Sequence, residues 1–574
     1  MLPRTLIVSA ALLLGACTTA TAQTAAPATA AETAATRGVV SAADPRAAEA
    51  GAEMLRRGGS AADAAIATML ALTVVEPQSS GIGGGGFLVH GGADGSIETL
   101  DGRETAPAAA TPEWFLDDEG RPRPFLEAVL SGLSVGVPGN VRLAAEAHER
   151  HGKLAWAELF EPAIALARDG FAISERLHEF LVRARNRAAL EAEGQGLFYD
   201  ELGEPLPVGT VVRNPALAAT FARLAKEGPE AFYGGDNATA IAVHVAAETP
   251  HPAGMTVADI AGYRVAERDA VCGDYRGYRI CGMGPPSSGA TTVYAILKQL
   301  ERFDLGALGP DSPTFWHLFA ESQRLAYADR ERYLADPDFV SVPVAGLMDP
   351  AYLAARGALI DPASTLASVV PGTPQGLALT PPDGDEPAEN GTSHFVAIDR
   401  EGNAISYTST IEGSFGSGLM VGGYYLNNEL TDFSFSPTGP DGQPVANRVE
   451  GGKRPRSSMA PTLVYDADGE LVLAVGAAGG ATIPVQVARA LIGVIDFGLP
   501  LAEAIALPVL FAPGDALTVE QGSALEPMIP QLQALGHAQV GARSLPLKTN
   551  GAQRTPAGWT GAADPRSEGA AIGE

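Results

Sequence analysis

Between Asp44 and about Leu190 the apolar residues recur at helical spacing, and Gly and Pro mark the breaks between runs. Asp44-Pro45 joins an acceptor side chain to a residue whose missing N–H is harmless in a first turn, and so predicts a helix that ends at Gly58-Gly59. Ser60 and Asp63 have capping-box spacing and open a second helix along the apolar run Ala61 to Val75. Further helices are expected over Asn140 to Arg150, Ala155 to Arg168, Asn214-Pro215 to Lys226 and Ser312 to Leu334. Past residue 391 the period shortens to two. Strands are expected at His394 to Asp399 and Ala404 to Thr410 around Arg400-Glu401-Gly402, at Tyr424 to Asn427, and at Thr462 to Asp466 and Glu470 to Val475 around Asp468-Gly469. A Gly479-Gly480 turn then precedes a helix from about Pro484 to Ile495. Helices first and strands second make the class α+β, without internal repeats.

Composition alters this picture little. The chain has 574 residues, 46% of them hydrophobic, with Gly 67 and Pro 43, which suits a packed globular protein with a large core. A formal net charge of -28 argues against nucleic acid or an anionic membrane surface as a partner. The first residues add more. Arg4 and the apolar Leu6 to Leu14 read as an export signal over residues 1–22, too short to span a bilayer. Two cleavage readings stand side by side: Leu14-Gly15-Ala16-Cys17 is a lipobox that would lipidate Cys17, and Ala20-Thr21-Ala22 is an A-x-A site that would release soluble protein. Both place the mature chain in the periplasm, membrane-anchored in the first case, with residues 23–37 as a flexible linker. Cys272 and Cys281 lie symmetrically about Arg276-Gly277; on a two-residue hairpin they would face each other, as a disulfide or as a buried thiol pair.

Candidate chemistry centres on Asn390-Gly391-Thr392-Ser393-His394, where a Pro/Gly/acid-rich strap, Pro371 to Glu389, meets the apolar Phe395-Val396-Ala397-Ile398. Uncut, Thr392 merely starts a strand. Cutting the Gly391-Thr392 bond would set its hydroxyl beside its own α-amine, a base with pKa about 7.7 to 8. Thr410 ends the partner strand and can reach Thr392 across the ladder. Gly479 and Gly480 can turn two N–H groups toward one point, as an oxyanion requires. Glu412, Glu429 and Asp432, around Asn427-Asn428, suit an ammonium. Ser457-Ser458, beside Lys453-Arg454-Pro455-Arg456, and Arg103, after the strand Ile97 to Leu100, suit a carboxylate. Taken singly, each of these charges reads as a surface residue and the glycine pair as a turn.

Other motifs are weaker. Gly81, Gly83 and Gly86 match G-x-G-x-x-G, but the order is helix, loop, strand, so the glycines read as close backbone packing rather than a dinucleotide site. Gly132-Leu133-Ser134-Val135-Gly136 matches a nucleophile elbow, yet Val137-Pro138-Gly139 stands where its helix must follow. His148 and His151 have no third ligand nearby, and no metal is expected.

Together the motifs resemble the γ-glutamyltransferases, also called glutathione hydrolases, of the N-terminal nucleophile hydrolase superfamily. The resemblance runs from Gly38 through Val75 to Phe87, Arg103-Glu104-Thr105-Ala106-Pro107, Gly136-Val137-Pro138-Gly139, Asp274-Tyr275-Arg276-Gly277-Tyr278, Pro285-Pro286-Ser287-Ser288-Gly289, Thr392-Ser393-His394, Leu426-Asn427-Asn428, Asp432-Phe433-Ser434, Arg454-Pro455, Ser457-Ser458-Met459, Gly479-Gly480 and Gly561 to Arg566. It implies a four-layer αββα sandwich built by two chains from one autocleaved precursor, a large subunit 38–391 and a small catalytic subunit 392–574. Thr392 would form a γ-glutamyl acyl-enzyme that water, an amino acid or a dipeptide resolves, with Thr410 in support and Gly479 and Gly480 on the oxyanion. Arg103, Ser457 and Ser458 would hold the donor's α-carboxylate, and Glu412, Glu429 and Asp432 its α-ammonium. No cofactor is implied. Some positions depart from the commonest pattern: Ser393 replaces a second Thr, Glu412 and Glu429 replace the Asn and Gln of some members, Ala477-Ala478 replaces Ser-Pro, and Ser434 to Gly452 is short and lacks a lid Tyr, which predicts an open donor site. A His-containing motif expected after Leu507-Pro508 is absent. The rival activities are a glutaryl or cephalosporin acylase of the same superfamily, which three carboxylates around an apolar methylene disfavour, and a catalytically inactive peptide-binding lipoprotein.

Overall fold

The computed structural model of the chain describes residues 32–251, 254–376 and 391–574. The export signal, Cys17 with both cleavage readings, and most of the strap before Gly391 lie outside the described residues.

Thirteen strands carry the architecture: β1 (Val39–Ala42), β2 (Gly85–Gly91), β3 (Ile97–Gly102), β4 (Ala266–Arg268), β5 (Val271–Tyr275), β6 (Tyr278–Gly282), β7 (Gly391–Ile398), β8 (Ala404–Glu412), β9 (Thr462–Tyr465), β10 (Leu471–Ala478), β11 (Lys548–Thr555), β12 (Gly558–Ala563) and β13 (Ala570–Gly573). One sheet runs β13-β1-β7-β8-β2-β3-β4 and the other β12-β11-β10-β9-β6-β5. They face each other where β7 and β8 meet β10 and β11. Seven helices matter here: α1 (Pro45–Arg56), α2 (Ala61–Val75), α3 (Asn140–His151), α4 (Glu175–Arg183), α5 (Gly289–Leu300), α6 (Pro313–Tyr333) and α7 (Ile483–Ile495). α2 lies on β7 and β8, whereas α5 and α7 cover the second sheet, so the layers read αββα.

Strand period explains the unbroken apolar run in β7. Phe395 and Ala397 join the core shared with α2, while Val396 and Ile398 join Leu463, Val464 and Val475 between the sheets. Both faces are buried, so no polar alternation survives. Helix starts follow the caps: Asp44 Oδ1 accepts from Arg46 N at 2.8 Å, and Ser60 and Asp63 form a reciprocal capping box.

Some elements differ from expectation. The helix expected over Ala155 to Arg168 is a 3-10 turn, Trp156–Phe160, followed by an α-helix, Glu161–Asp169, with Pro162 in its first turn, where a missing N–H is tolerated. The strand expected to Asn427 stops at Tyr425, because the Asn427 amide turns away to the carbonyls of Gly83 and Gly136 at 2.8 and 2.9 Å. Gly81 to Gly86 is a packing loop, since a Cβ on Gly83 or Gly84 would stand 2.0 Å from the carbonyl oxygen of Tyr425 or Thr410. In Gly132-Leu133-Ser134, a single 3-10 turn, the Ser134 hydroxyl is buried and donates to Val129 O at 2.8 Å. Cys272 and Cys281 are register partners on the β5–β6 hairpin, whose turn residues Arg276 and Gly277 have φ of 51 and 84°, and their sulfurs are bonded.

Candidate active site

Thr392 is the second residue of β7 and lies on the strand face turned toward the second sheet. Ser393 pairs with Ser409, but the register shifts between Ser409 and Glu412. This bulge leaves Thr410 without a partner on β7, though still paired with Gly85 on β2, and its Oγ1 stands 3.5 Å from Thr392 Oγ1. Both hydroxyls donate to the Gly391 carbonyl, at 2.6 Å from Thr392 and 2.5 Å from Thr410, whose oxygen also accepts the Glu412 N–H at 2.7 Å. Glu412 has φ of 69°, a left-handed conformation that is unfavourable for a side-chain-bearing residue. The intact Gly391–Thr392 peptide therefore has a hydroxyl nucleophile beside its carbonyl and a second hydroxyl polarising the carbonyl oxygen.

Gly479 and Gly480 follow β10 with φ of 133 and 58°, conformations that favour glycine, and lead into α7. Gly479 and Thr392 line the same cleft. A Cβ at Gly479 would stand 2.0 Å from Pro546 O, so no larger residue fits. Between the sheets, the His394 ring fills space left by Gly476 and hydrogen-bonds Thr408 at 2.8 Å; burial drops its pKa to about 3, so it stays neutral.

The predicted recognition residues converge, although they come from segments more than 300 residues apart. Arg103, at 1% exposure, immediately follows β3 and ion-pairs with both Glu429 and Asp432. Its remaining donors go to the carbonyls of Pro455, at 3.2 Å, and Arg456, at 2.8 Å. Asn428 donates to Glu412 through its side chain and accepts the Gly413 N–H at 2.8 Å. Asn427 ties this acidic segment to the glycine loop, accepting from Gly136 N and Glu429 N at 2.9 and 3.0 Å. Ser457 and Ser458 are buried in the segment beside Arg103; Arg330 on α6 reaches Ser458 Oγ at 2.6 Å and Ser288 Oγ at 2.9 Å.

The donor site is not open here. Arg103, Glu429, Asp432 and Thr392 are all buried, because the arginine and acids pair with one another and Gly391 is still attached. The short segment after Ser434 packs down as well, with Phe435 stacked on Phe115 at 4.3 Å.

Sequence reasoning passed over Glu104, though it lies inside a quoted motif. Its side chain is fully buried, and its carboxyl meets no hydrogen-bond donor group, only the carboxyl of Glu429, with which it can share a proton. Burial pushes it up to about 8, against the pull of Arg103, and burial likewise holds Glu429 well above the usual carboxylate range. Lys548 was missed too: its ammonium meets Glu76 Oε2 at 2.9 Å and Ser393 Oγ at 3.3 Å, and burial brings it down to about 8. Long-range pairing gives neither residue a local signal. Two His/Glu groups also come together, His90/Glu98/His151 and His317/Glu321/His537. Their rings are engaged with one another: His90 stacks on His151 at 3.7 Å, and His317 Nδ1 lies 2.7 Å from His537 Nε2.

Residues 47–574 match the family model described as Gamma-glutamyltranspeptidase. The chain is 38% identical to a glutathione hydrolase proenzyme of Bacillus subtilis (strain 168), covering 87% of this chain and 85% of that one. To a glutathione hydrolase proenzyme of Escherichia coli (strain K12) it is 36% identical, over 92% and 90%. The crystal structure of a cephalosporin acylase from Bacillus halodurans superposes with a TM-score of 0.82 at 26% identity, covering 96% of this chain and 99% of that one.

Proposed function

The chain belongs to the gamma-glutamyltranspeptidase family, and on that premise we propose that it hydrolyses and transfers the γ-glutamyl group of glutathione and other γ-glutamyl compounds through an ester on Thr392. One observation carries the reading: a threonine hydroxyl 2.6 Å from the preceding carbonyl oxygen stands in the same buried region as a guanidinium flanked by acids.

Maturation begins with Thr392 Oγ attacking the Gly391 carbonyl carbon while the Thr410 hydroxyl stabilises the oxygen. The C–N bond breaks, the acyl group moves from N to O, and water hydrolyses the ester. This yields a chain ending at Gly391 and another beginning with Thr392, which stay together as a heterodimer. In turnover the freed α-amine takes the hydroxyl proton as Oγ attacks the γ-carbonyl, and the N–H groups of Gly479 and Gly480 receive the oxyanion. The amine then protonates the leaving amine, and water or an amino acid or dipeptide resolves the ester. Arg103, with Ser457 and Ser458, holds the donor's α-carboxylate; Asp432, Glu429 and Glu412 hold its α-ammonium.

Residues 1–22 are read as the export signal, on the strength of Arg4 and Leu6 to Leu14. The periplasmic product is either lipidated at Cys17 or released after Ala22, and mass spectrometry of the mature N-terminus separates these forms.

The functional test compares a γ-glutamyl anilide with the glutaryl anilide that lacks only the α-amine. A preference of at least tenfold for the glutamyl compound is expected. Preference for the glutaryl compound would make the protein an acylase, like the Bacillus halodurans enzyme it resembles in fold.

A further inference from the structure

Beside the nucleophile runs a narrow cleft lined by Thr392, Gly479, Gln78, Ser79 and Pro546, with Arg176 and Phe180 from α4 and Lys548 from β11. Its only charged lining groups are two cations. Lys548 is engaged, holding Glu76 at 2.9 Å and the hydroxyls of Ser79 and Ser393 at 3.3 Å each. Arg176 is held more loosely: its guanidinium makes no hydrogen bond among the described residues, and its buried Nε has only a long ion pair with Glu76 Oε1, at 3.8 Å. Glu76, the carboxylate nearest to it at 3.8 Å, is already held by Lys548 and Ser393, while Glu568 accepts only the Arg176 backbone N–H, at 2.8 Å. The Phe180 ring lies 5.1 Å from the guanidinium carbon, and the Arg176 side chain keeps 21% exposure. A planar fork with unused donors is thus held at the wall of the cleft that contains the nucleophile and an oxyanion glycine.

We infer that Arg176 receives the terminal carboxylate of the amino acid or dipeptide that departs from, or attacks, the γ-glutamyl carbonyl. The inference rests on the γ-glutamyl reading given above and names the second half of the substrate. Arg103 is enclosed by Glu429, Asp432 and two carbonyls and is assigned above to the donor; Arg176 lies in the cleft beside Thr392, where a guanidinium favours a planar, bidentate anion. Lys548 adds a second positive charge there. In transfer, the acceptor nitrogen bonds to the γ-glutamyl carbonyl carbon, the ester C–Oγ bond breaks, and the acceptor's proton returns to Thr392 Oγ by way of the α-amine. A carboxylate fixed on Arg176 orients that nitrogen, so amide-capped acceptors should react more slowly although their nucleophile is the same.

The test uses the processed protein acylated with a γ-glutamyl anilide. Transfer to glycylglycine is compared with transfer to glycylglycinamide, and their ratio is read within each protein so that losses of fold or total activity cancel. Wild type should favour the free carboxylate about tenfold, Arg176→Gln should bring the ratio to within about twofold of one, and Arg176→Lys should fall between. Equal rates in wild type, or a wild-type ratio retained by Arg176→Gln, would overturn the inference alone. Failure of wild type to turn over the anilide at all would overturn the γ-glutamyl reading, and this inference with it.

Discussion

Around Thr392 the immediate polar partners are uncharged: the Gly391 carbonyl and the Thr410 hydroxyl, itself held by the Glu412 N–H, all placed by the register of one strand pair. Around Arg103 the partners are charged and come from distant loops, with Glu429 and Asp432 in ion pairs and Glu104 buried close by. Arg187 faces Glu412 from the far side with one buried, unpartnered N–H. The first region is complete before any ligand arrives. The second holds more carboxyl groups than cations, so it must retain protons or receive a positive charge. In the proposed function a donor's α-ammonium supplies that charge, which would tie recognition to electrostatics and leave the chemical step to hydrogen bonds.

Thr392→Ala breaks the contrast most severely. It should leave a single uncut chain on a denaturing gel and lower turnover at least 1,000-fold, roughly the loss of a covalent nucleophile. Two chains in that variant would overturn the maturation route. Asp432→Asn, on the other side, should leave cutting intact and reduce kcat/KM for the γ-glutamyl anilide by about 10- to 100-fold, the value of a charge-assisted hydrogen bond. The loss should appear mainly in KM, and the glutaryl anilide should lose less; equal losses would mean that Asp432 does not read the amine.

The smallest effect concerns Glu104. Burial holds it protonated up to about 8, whereas an exposed glutamate titrates near 4.3. Its contribution to stability is fully present below about 4.3 and is lost as pH rises through about 8, because in that window the folded state keeps a proton that the unfolded state has released. Glu104→Gln removes this slope. In urea titrations it should gain steadily on wild type as pH rises from 5 to 8.5. Parallel pH curves would show that Glu104 carries no such proton.

Local signals marked the nucleophile's side well. The hairpin around Arg400-Glu401-Gly402 fixes which residue faces which, and the Ser60–Asp63 capping box starts α2 where the sequence puts it. The bulge at Thr410 was not readable, since it depends on Gly85 and Gly391 pairing from either side. β1 and β11 to β13 were also missed: in Lys548-Thr549-Asn550-Gly551 the polar side chains point into the protein, and their partners, Glu76, Gln486 and the His394 carbonyl, are far away in sequence. For Arg103 the sequence left a carboxylate fork and a surface charge side by side, and only the family likeness favoured the fork, because its bonds to the 455–456 carbonyls span some 350 residues.

Both sheets interleave strands from either side of residue 391: β1 lies between β13 and β7, and β6 pairs with β9. A chain cut before Thr392 would keep every one of these ladders, yet it would lose the tether that let them form as one folding event. Refolding would then require two separate chains to meet and thread through each other's sheets. Such a cut would act as a ratchet, leaving an enzyme whose lifetime is set by its rate of unfolding rather than by an equilibrium it can return to.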